Sequence, residues 1–487
     1  MKKILLAIVP ALLLATSCVD SLDENRIDPK LATTVTASSL VANAERNLVR
    51  TMVSTNVNQN PFRLYVQYWA QTTYFDESRY DIETRQINTS FWNALYRDVL
   101  RDLQEARVSL GADPLLPAAD RSVQEGIIEV LNVYTWATLV DTYGDVPYTQ
   151  ALNIATPQPR YDKAADIYAD LIVRLDAAIT KLGTAGGHGF DSMDLIYGDD
   201  LSGWRKFANS LKLRLAMTTA DVNPTRSATM VQQALSPANG GVFTSNDDNA
   251  DLAFASALPN TNPLYEDLVN SGRRDFVAAN TLLNRLQSTS DPRLNDYFQP
   301  TLNSQGTSTP VYTGGTPGGS NSGRSRSLPG TKLMDPTLPG VLLSYAQVEF
   351  MLADALDRGF TGITGTEASH YTAGVRASLQ EWGNSDAEIT TYLARPDVAY
   401  TTAAGTDRQK IGTQMWLALY NQPVDAWREY RRLDAPSLTR AANALSELPV
   451  RFPYPVQEQN LNTASYNSAA ASIGGDVVTT KIFWDVR

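Results

Sequence analysis

The chain has 487 residues, with 41 Lys and Arg against 52 Asp and Glu, and its formal net charge at pH 7 is −11. This acidic balance argues against nucleic acid as a partner, because phosphate binding requires clustered Lys and Arg. The single cysteine excludes an intramolecular disulfide.

The N-terminus carries the pattern of an export signal. Two lysines precede an apolar run at 4–14, and small residues then lead to Cys18. The run is too short for a membrane-spanning helix, which needs roughly 20 apolar residues. The order basic, apolar, small, cysteine resembles the lipobox of bacterial lipoproteins. That resemblance implies that residues 1–17 are a lipoprotein signal peptide and that Cys18 is lipidated; the alternative is an ordinary secretory signal with an incidental cysteine.

The segment at 18–36 is polar, acidic and low in aromatic residues, which is typical of a flexible linker. Each buried acyl methylene contributes about 0.8 kcal/mol, so a multiply acylated Cys18 would hold the protein firmly on a membrane. No later segment of the sequence is apolar enough to cross one. We therefore expect a globular body on a lipidated acidic tether.

Helical periodicity dominates the rest of the chain. Apolar residues recur at helical spacing at 38–55 (with a serine cap), 90–110, 122–144, 163–183, 201–220, 275–289, 344–359, 367–383, 408–421 and 424–434. Alternating runs of Val, Ile and Thr are scarce, so the predicted fold class is mostly α. Long helices joined by short loops resemble tetratricopeptide-like pairs, although no repeat consensus recurs at a fixed period.

A segment rich in Gly, Ser, Thr and Pro interrupts the helices at 300–330. Its composition offers few apolar side chains, so we expect it to stay outside the core. Long loops inside a compact chain are usually functional or disordered. A second irregular stretch is expected at 435–475, where proline favours extended backbone.

Signals for hydrolytic chemistry are weak. His188 and His370 stand in no zinc-binding or nucleophile motif. Glycoside hydrolysis, however, needs only two carboxylates. The adjacent acidic pairs are Asp76 with Glu77, Asp199 with Asp200, and Asp247 with Asp248. Helix capping explains Asp199 and Asp200 equally well, so a surface glycoside hydrolase using paired carboxylates is kept as the alternative function.

Aromatic residues are dense at 65–92 and alternate there with polar ones. Aromatic rings stack on the apolar faces of sugars or on peptide side chains, while nearby polar groups orient the ligand. The candidates for ligand binding are Trp69, Tyr74, Arg79 and Tyr80, and the alternative for each is core packing.

Other aromatic pairs lie at helical spacing and are expected in the core. These pairs are Trp92 with Tyr96, Trp416 with Tyr420, and Trp427 with Tyr430.

Motifs over nearly the whole chain occur in an order that resembles the SusD/RagB family of nutrient-binding outer-membrane lipoproteins of the Bacteroidetes. The motifs are QYWAQTTYFDESRY at 67–80, DTYGDVPYTQAL at 141–152, LIYGDDLSGWRKFANSLKLRLAM at 195–217, SDPRLNDYF at 290–298, YAQVEFMLADAL at 345–356, MWLALYNQPVDAWREYRRLD at 415–434, LPVRFPYPVQEQNLN at 448–462 and KIFWD at 481–485. The acidic SLDEN after Cys18 also resembles the signal that sends such lipoproteins to the cell surface.

The resemblance implies one domain at 37–487, with a tetratricopeptide-like scaffold and a loop insertion near 300–330. It implies a SusC-like TonB-dependent β-barrel transporter as partner, over which the lipoprotein acts as a lid that delivers an oligosaccharide or a peptide. Energy would come from TonB, so no cofactor is expected and the protein is not expected to be an enzyme. Ligand loops vary within the family. We therefore place the ligand site at 65–85 and 300–330, with Tyr312 and the pair Arg324 and Arg326 as further candidates.

Overall fold

The computed structural model describes residues 35–301, 307 and 311–487. Cys18, the predicted signal peptide and the tether up to residue 34 lie outside the described residues. The described part is mostly helical, and its few strands form two-stranded ladders. None of the described helices is both long and apolar enough to cross a membrane. The predicted fold class, mostly α, is confirmed.

The elements follow one another along the chain with helices far in excess of strands. The first helices are α1 (Ala37–Val53), α2 (Phe62–Tyr65), α3 (Ile87–Leu95), α4 (Arg101–Ala112), α5 (Ala118–Tyr143), α6 (Ala164–Leu182), α7 (Leu201–Thr218), α8 (Pro224–Ala234) and α9 (Pro263–Tyr265). The later helices are α10 (Asn280–Ser288), α11 (Leu294–Tyr297), α12 (Tyr345–Asp357), α13 (Glu367–Glu381), α14 (Asp386–Leu393), α15 (Asp407–Ala418), α16 (Pro423–Leu433), α17 (Val456–Leu461) and α18 (Thr463–Ser472). The strands are β1 (Trp69–Gln71), β2 (Val146–Pro147), β3 (Tyr161–Asp162), β4 (Ala250–Leu252), β5 (Phe276–Ala278) and β6 (Gly340–Leu343).

Consecutive long helices pack against each other as pairs. Helix α5 contacts α6, α7 contacts α8, and α12 contacts α13. Helix α1 packs against α4 and the strand β6. The tetratricopeptide-like pairing expected from the resemblance is therefore present.

Polar side chains cap the N-termini of several helices. The Thr36 side chain accepts from the Ser39 backbone N–H at 3.2 Å and caps α1, so the cap is a threonine two residues before Ser38 and the predicted serine cap is wrong. The Asp200 carboxylate accepts from the Ser202 N–H at 2.9 Å and caps α7. Such caps satisfy donors that a helix leaves free at its N-terminus.

A chain of buried ion pairs joins α7, α12 and α16. The pairs are Arg214 with Asp425 at 3.2 Å, Arg428 with Asp425 at 3.0 Å, Arg428 with Glu429 at 2.8 Å, Arg432 with Glu429 at 2.7 Å, and Arg432 with Asp354. Burial alone would raise the pKa of Glu429, but the charges of Arg432 and Arg428 hold it below its usual value. Buried charges are tolerated only when they are paired in this way, so the network ties these helices to one arrangement.

The predicted helix at 275–289 is wrong in its first part. Phe276–Ala278 forms β5, which pairs antiparallel with β1, and α10 begins only at Asn280. The partner strand lies far away in the sequence, so the local periodicity did not reveal it. Two of the helices that the prediction missed, α17 and α18, lie in the stretch expected to be irregular.

The described part of the Gly-rich segment, 311–330, packs onto β5 instead of staying outside the core. The Gly315 N–H donates to the Ala278 carbonyl at 2.7 Å, and the Ala278 N–H donates to the Ser327 carbonyl at 2.8 Å. A Cβ on Gly314 would lie 2.5 Å from the Asn280 Cα. Backbone hydrogen bonds and close approach at glycines therefore replace the apolar side chains that the segment lacks.

Candidate functional site

A surface groove lies where the β1–β5 ladder meets the loop after α1 and the chain after α9. We call it the Tyr74 groove, and its cavity volume is about 280 Å³. Its lining residues are Thr55, Asn56, Val57, Asn58, Gln71, Thr73, Tyr74, Arg85, Asp267, Leu268, Ser271, Arg273, Asp275 and Phe276. Most of these side chains are amides, hydroxyls or charged groups, so the groove is built for polar recognition.

Tyr74 presents the one predicted aromatic ring that reaches solvent in this groove. Its side chain is 59% exposed, and its backbone has φ 54°. The guanidinium carbon of Arg85 lies 5.4 Å from the ring centroid, and that of Arg273 lies 5.6 Å from it. Cations at this distance from a ring are attracted by its quadrupole. The ring is thus held by two arginines while part of its surface stays open.

Two acidic residues on the turn that follows β1 form ion pairs with Arg85. Its Nε lies 3.1 Å from the Oε1 of Glu77, which is buried, and its Nη2 donates to Asp76 Oδ2 at 3.2 Å. Gln71 Nε2 donates to the other Glu77 oxygen at 2.8 Å. These contacts fix Arg85 and account for Asp76 and Glu77 as structural partners.

Arg273 is fixed from the β5 side of the groove. Its Nε donates to Asp275 Oδ2 at 2.5 Å, and the Thr73 hydroxyl donates to Asp275 Oδ1 at 3.1 Å. The Thr72 N–H donates to the Asp275 carbonyl at 2.8 Å. The loop that carries Tyr74 and the loop that carries Arg273 are therefore bonded to each other.

Asp267 is a half-buried carboxylate in the lining of the Tyr74 groove. Burial raises the pKa of Asp267, while a hydrogen bond from the Thr55 hydroxyl opposes that rise. A carboxylate in such surroundings accepts hydrogen bonds strongly, and a ligand hydroxyl is a suitable donor.

Trp69 and Tyr80 do not present open ring faces, which corrects the expectation for these two candidates. Trp69 is 1% exposed, its ring packs on Phe276 with centroids 5.1 Å apart, and its Nε1 donates to the Tyr420 hydroxyl at 2.7 Å. Tyr80 is 3% exposed and packs edge-on against Tyr65. Phe276 and Tyr420 contact Trp69, and the Ala441 N–H donates to the Tyr80 hydroxyl at 3.2 Å, so residues distant in sequence help to cover both rings.

Arg79 and Tyr312 lie outside the lining of the Tyr74 groove. Arg79 Nε donates to the Gly318 carbonyl at 2.9 Å and so ties the β1 turn to the Gly-rich segment. The Tyr312 hydroxyl donates to Asn295 Oδ1 at 2.7 Å. Asn321 of that segment is bonded to β1, through a 2.9 Å hydrogen bond from its Nδ2 to the Gln71 carbonyl.

The remaining chemical candidates are engaged in structural contacts. Asp199 accepts from the Gly189 N–H at 2.9 Å, and Asp248 pairs with Lys206 at 2.6 Å. His370 Nδ1 lies 2.6 Å from Glu349 Oε2. Within 35–301, 307 and 311–487, no cluster of three or more His, Cys, Asp or Glu is arranged to hold a metal ion.

The aromatic pairs expected in the core are buried or half-buried there. Trp92 and Tyr96 pack with ring centroids 4.6 Å apart.

The sequence did not indicate four residues that line the groove: Arg273, Asp275, Asp267 and Asn56. The only signal for them was the charged RRD at 273–275 after a Ser-Gly turn, and nothing local indicated that it meets Tyr74.

Comparison with known proteins decides the family. Residues 29–455 match a SusD-like family described as starch-binding and associating with the outer membrane. The chain belongs to the SusD-like family. The resemblance found in the sequence is thereby confirmed.

Solved structures of SusD-like proteins share the fold. A chitin-binding protein is 28% identical, with a TM-score of 0.79 over 93% of this chain and 100% of the other. A chitin-binding SusD homologue from Flavobacterium johnsoniae is 22% identical, with a TM-score of 0.79 over 93% and 99% of the two chains. A SusD homologue from Bacteroides vulgatus is 24% identical, with a TM-score of 0.78 over 91% and 97%. No curated protein matches the sequence.

Proposed function

We propose that this SusD-like protein captures an oligosaccharide in the Tyr74 groove at the cell surface and delivers it to a SusC-like TonB-dependent transporter. The observation that carries the proposal is the exposed ring of Tyr74, with the guanidinium carbons of Arg85 and Arg273 at 5.4 Å and 5.6 Å from its centroid. An aromatic face with fixed polar groups around it suits a sugar ring, because the C–H face stacks and the hydroxyls accept or donate hydrogen bonds.

A glycan fits the groove better than a peptide. Amides, hydroxyls and charges of both signs line it, and Val57, Leu268 and Phe276 are its main apolar contributors. Peptide recognition commonly uses pockets for apolar side chains together with an unpaired strand edge. The similarity to a chitin-binding protein at 28% identity also supports a glycan, and chito-oligosaccharides are the first probe to use.

Capture without hydrolysis is the second part of the proposal. Asp275 in the groove is paired with Arg273 and accepts from Thr73, and Asp267 accepts from Thr55. A glycosidase needs one carboxyl group free to donate a proton and a second one across the scissile bond. Chromatography of an oligosaccharide incubated with the protein should show no shorter product, and products lost in an Asp267→Asn variant would restore the hydrolase alternative.

Delivery to a transporter rests on the family resemblance and on the predicted lipid anchor at Cys18. The lid role requires a stable complex with a β-barrel in the outer membrane. Affinity purification of the tagged full-length chain from its native outer membrane should bring down a TonB-dependent barrel. Recovery of the chain alone under mild detergent would contradict this part of the proposal.

Calorimetry against chito- and malto-oligosaccharides and short peptides tests the site itself. Tyr74→Ala should weaken binding at least about tenfold, the effect of losing roughly 1.4 kcal/mol at a central contact. Tyr312→Ala is the matched control, because it removes a tyrosine with its own hydrogen bond outside the groove. A loss of affinity in Tyr312→Ala instead of Tyr74→Ala would place the site at the Gly-rich segment. Tighter binding of peptides than of oligosaccharides would make a peptide the proposed ligand.

A further inference from the structure

A second cavity lies beside α1, and Ala42, Asn43, Arg46 and Arg50 of that helix contribute to its lining. We call it the Phe254 cavity, and its volume is about 450 Å³. Its apolar wall consists of Leu195, Leu252, Ala253, Phe254 and Ala255. The two alanines are exposed, while Phe254 and Leu252 are buried at its base. This wall makes the lining of the Phe254 cavity more apolar than that of the Tyr74 groove.

The rim of the Phe254 cavity is a fixed set of polar groups. Arg46 Nη1 donates to Asn260 Oδ1 at 3.2 Å, and its Nη2 donates to Asn43 Oδ1 at 3.2 Å. Asn43 Nδ2 in turn donates to Asp102 Oδ2 at 2.7 Å. A guanidinium carries five N–H donors, so Arg46 has donors left for ligand oxygens after these two bonds. An apolar wall opposite fixed donors is the same combination that a sugar ring requires.

The Phe254 cavity and the Tyr74 groove are joined by a third cleft. This middle cleft has a volume of about 270 Å³ and is lined by Asn47, Thr51, Ser54 and Gln59 among others. Arg50 belongs to both the Phe254 cavity and the middle cleft. Asn56 and Asp267 belong to both the middle cleft and the Tyr74 groove. The three spaces therefore follow one another along the surface.

Arg50 marks the passage from the Phe254 cavity to the middle cleft. Its Nη2 donates to Glu266 Oε2 at 2.8 Å, and its Nη1 donates to Glu266 Oε1 at 3.0 Å and to the Thr261 carbonyl at 2.9 Å. Both charges are neutralised within this pair, which is only about one-quarter exposed. A bidentate pair of this kind is rigid and forms a neutral ridge over which a neutral chain can pass.

The path is long compared with a single sugar. From Ala42 in the Phe254 cavity to Ser54 in the middle cleft, α1 covers about 18 Å at roughly 1.5 Å per residue. The Tyr74 groove continues beyond Ser54. A ligand that fills only the Tyr74 groove leaves the rest of the path unused, whereas an oligomer can contact all three spaces.

We propose that the ligand is an elongated neutral oligosaccharide that lies along α1, with one end on Tyr74 and the other in the Phe254 cavity. This inference rests on the proposed function and adds a terminal subsite and a preference for length. The subsite binds the far sugar by its apolar face on Ala253 and Ala255 and by its hydroxyls on Arg46 and Asn260. Affinity then rises with chain length until the Phe254 cavity is filled.

Calorimetry with chito- and malto-oligosaccharides from dimer to hexamer tests the subsite. Ala255→Trp fills the Phe254 cavity from its exposed rim, and Ala257→Trp, at an exposed position of the same loop outside the lining, is the matched control. We expect Ala255→Trp to weaken the hexamer about tenfold and to leave the dimer unchanged, with Ala257→Trp resembling the unmodified protein at both lengths. Arg46→Gln should weaken the hexamer in the same selective way.

The outcomes separate the subsite from the proposed function. The dimer and the hexamer could bind with equal affinity, depend on Tyr74 and show no effect of Ala255→Trp. That result would overturn the subsite and leave the proposed function standing. Equal losses from Ala255→Trp and Ala257→Trp would also overturn it, because the loop rather than the cavity would be responsible. Failure of every oligosaccharide to bind would overturn both.

Discussion

Arg85 and Tyr74 form the central contact of the Tyr74 groove, with the guanidinium carbon 5.4 Å from the ring centroid. The same arginine is anchored on buried Glu77, at 3.1 Å from its Nε. An exposed ring is thereby coupled to the core through one side chain. This coupling lets a surface aromatic keep its orientation without being covered, which limits the entropy lost on ligand binding.

Removal of the other arginine on the ring should affect binding and not stability. Arg273 is exposed and pairs with Asp275 on its own loop, so Arg273→Ala removes one of the two cations that orient the Tyr74 ring and adds little loss of stability. We expect an oligosaccharide affinity about two- to fivefold weaker by calorimetry, with an unchanged urea midpoint. Arg395→Ala, which removes an arginine from a pair of the same spacing with Asp397 outside all three linings, is the control and should change neither quantity. A drop in the urea midpoint for Arg273→Ala alone would contradict the assignment.

The buried ion-pair chain should be costly to break. Arg432→Met leaves Glu429 and Asp354 in the core without this partner, and breaking a buried pair typically costs about 3–5 kcal/mol. The free energy of unfolding from urea titration should fall by that order. Replacing Arg101 by Met, which breaks its exposed pair with Glu105, should cost less than about 1 kcal/mol. Similar losses in the two variants would show that the buried network contributes no more than a surface pair.

His370 should give the stability a specific pH dependence. Burial alone would lower the pKa of His370, but the hydrogen bond and charge of Glu349 outweigh it and raise the pKa above 6.5. Because the folded-state pKa is the higher one, this stabilisation is fully present below the unfolded pKa and is lost as the pH rises through the folded pKa. The urea midpoint of the unmodified protein, relative to His370→Gln, should be higher below about pH 6 than above about pH 8. A difference that does not vary with pH would refute this.

Gly318 should be needed for space as well as for conformation. It has φ 71°, and an added Cβ would lie 2.2 Å from the Ala442 carbonyl oxygen. Gly186 has φ 70° with nothing within 4 Å of such a Cβ, so the two glycines differ only in close approach. Gly186→Ala should cost about 1 kcal/mol of unfolding free energy, and Gly318→Ala should cost clearly more. Equal costs in thermal or urea unfolding would show that the Gly-rich segment can shift away freely.

The predicted anchor at Cys18 has a direct test in cells. Cys18→Ser removes the thiol that acylation requires, so the chain should leave the detergent-soluble membrane fraction and should not incorporate labelled fatty acid. Ser17→Ala is the neighbouring control and should remain lipidated. Membrane retention of Cys18→Ser in the absence of the transporter would favour an ordinary secretory signal and another means of attachment.

The helical scaffold could be predicted because its signals are local. The spacing that packs Trp92 on Tyr96 and the polar residues that cap α7 act within one or two turns of helix, so the sequence displays them directly. The prediction of helix at 275–278 was wrong because the structure there depends on a distant partner. The strand β5 pairs with β1, and nothing within the stretch identifies that partner.

The same division applies to the site. The sequence by itself determined the family, the mostly α class and the importance of the aromatic stretch that contains Tyr74, because these follow from residue order and local periodicity. The tertiary structure decided that Trp69 is covered while Tyr74 is open, since Tyr420 and Phe276 reach Trp69 from distant parts of the chain. It also brought Arg273 onto the Tyr74 ring. Burial and cross-chain contacts depend on which surfaces meet, and a linear pattern carries no record of that.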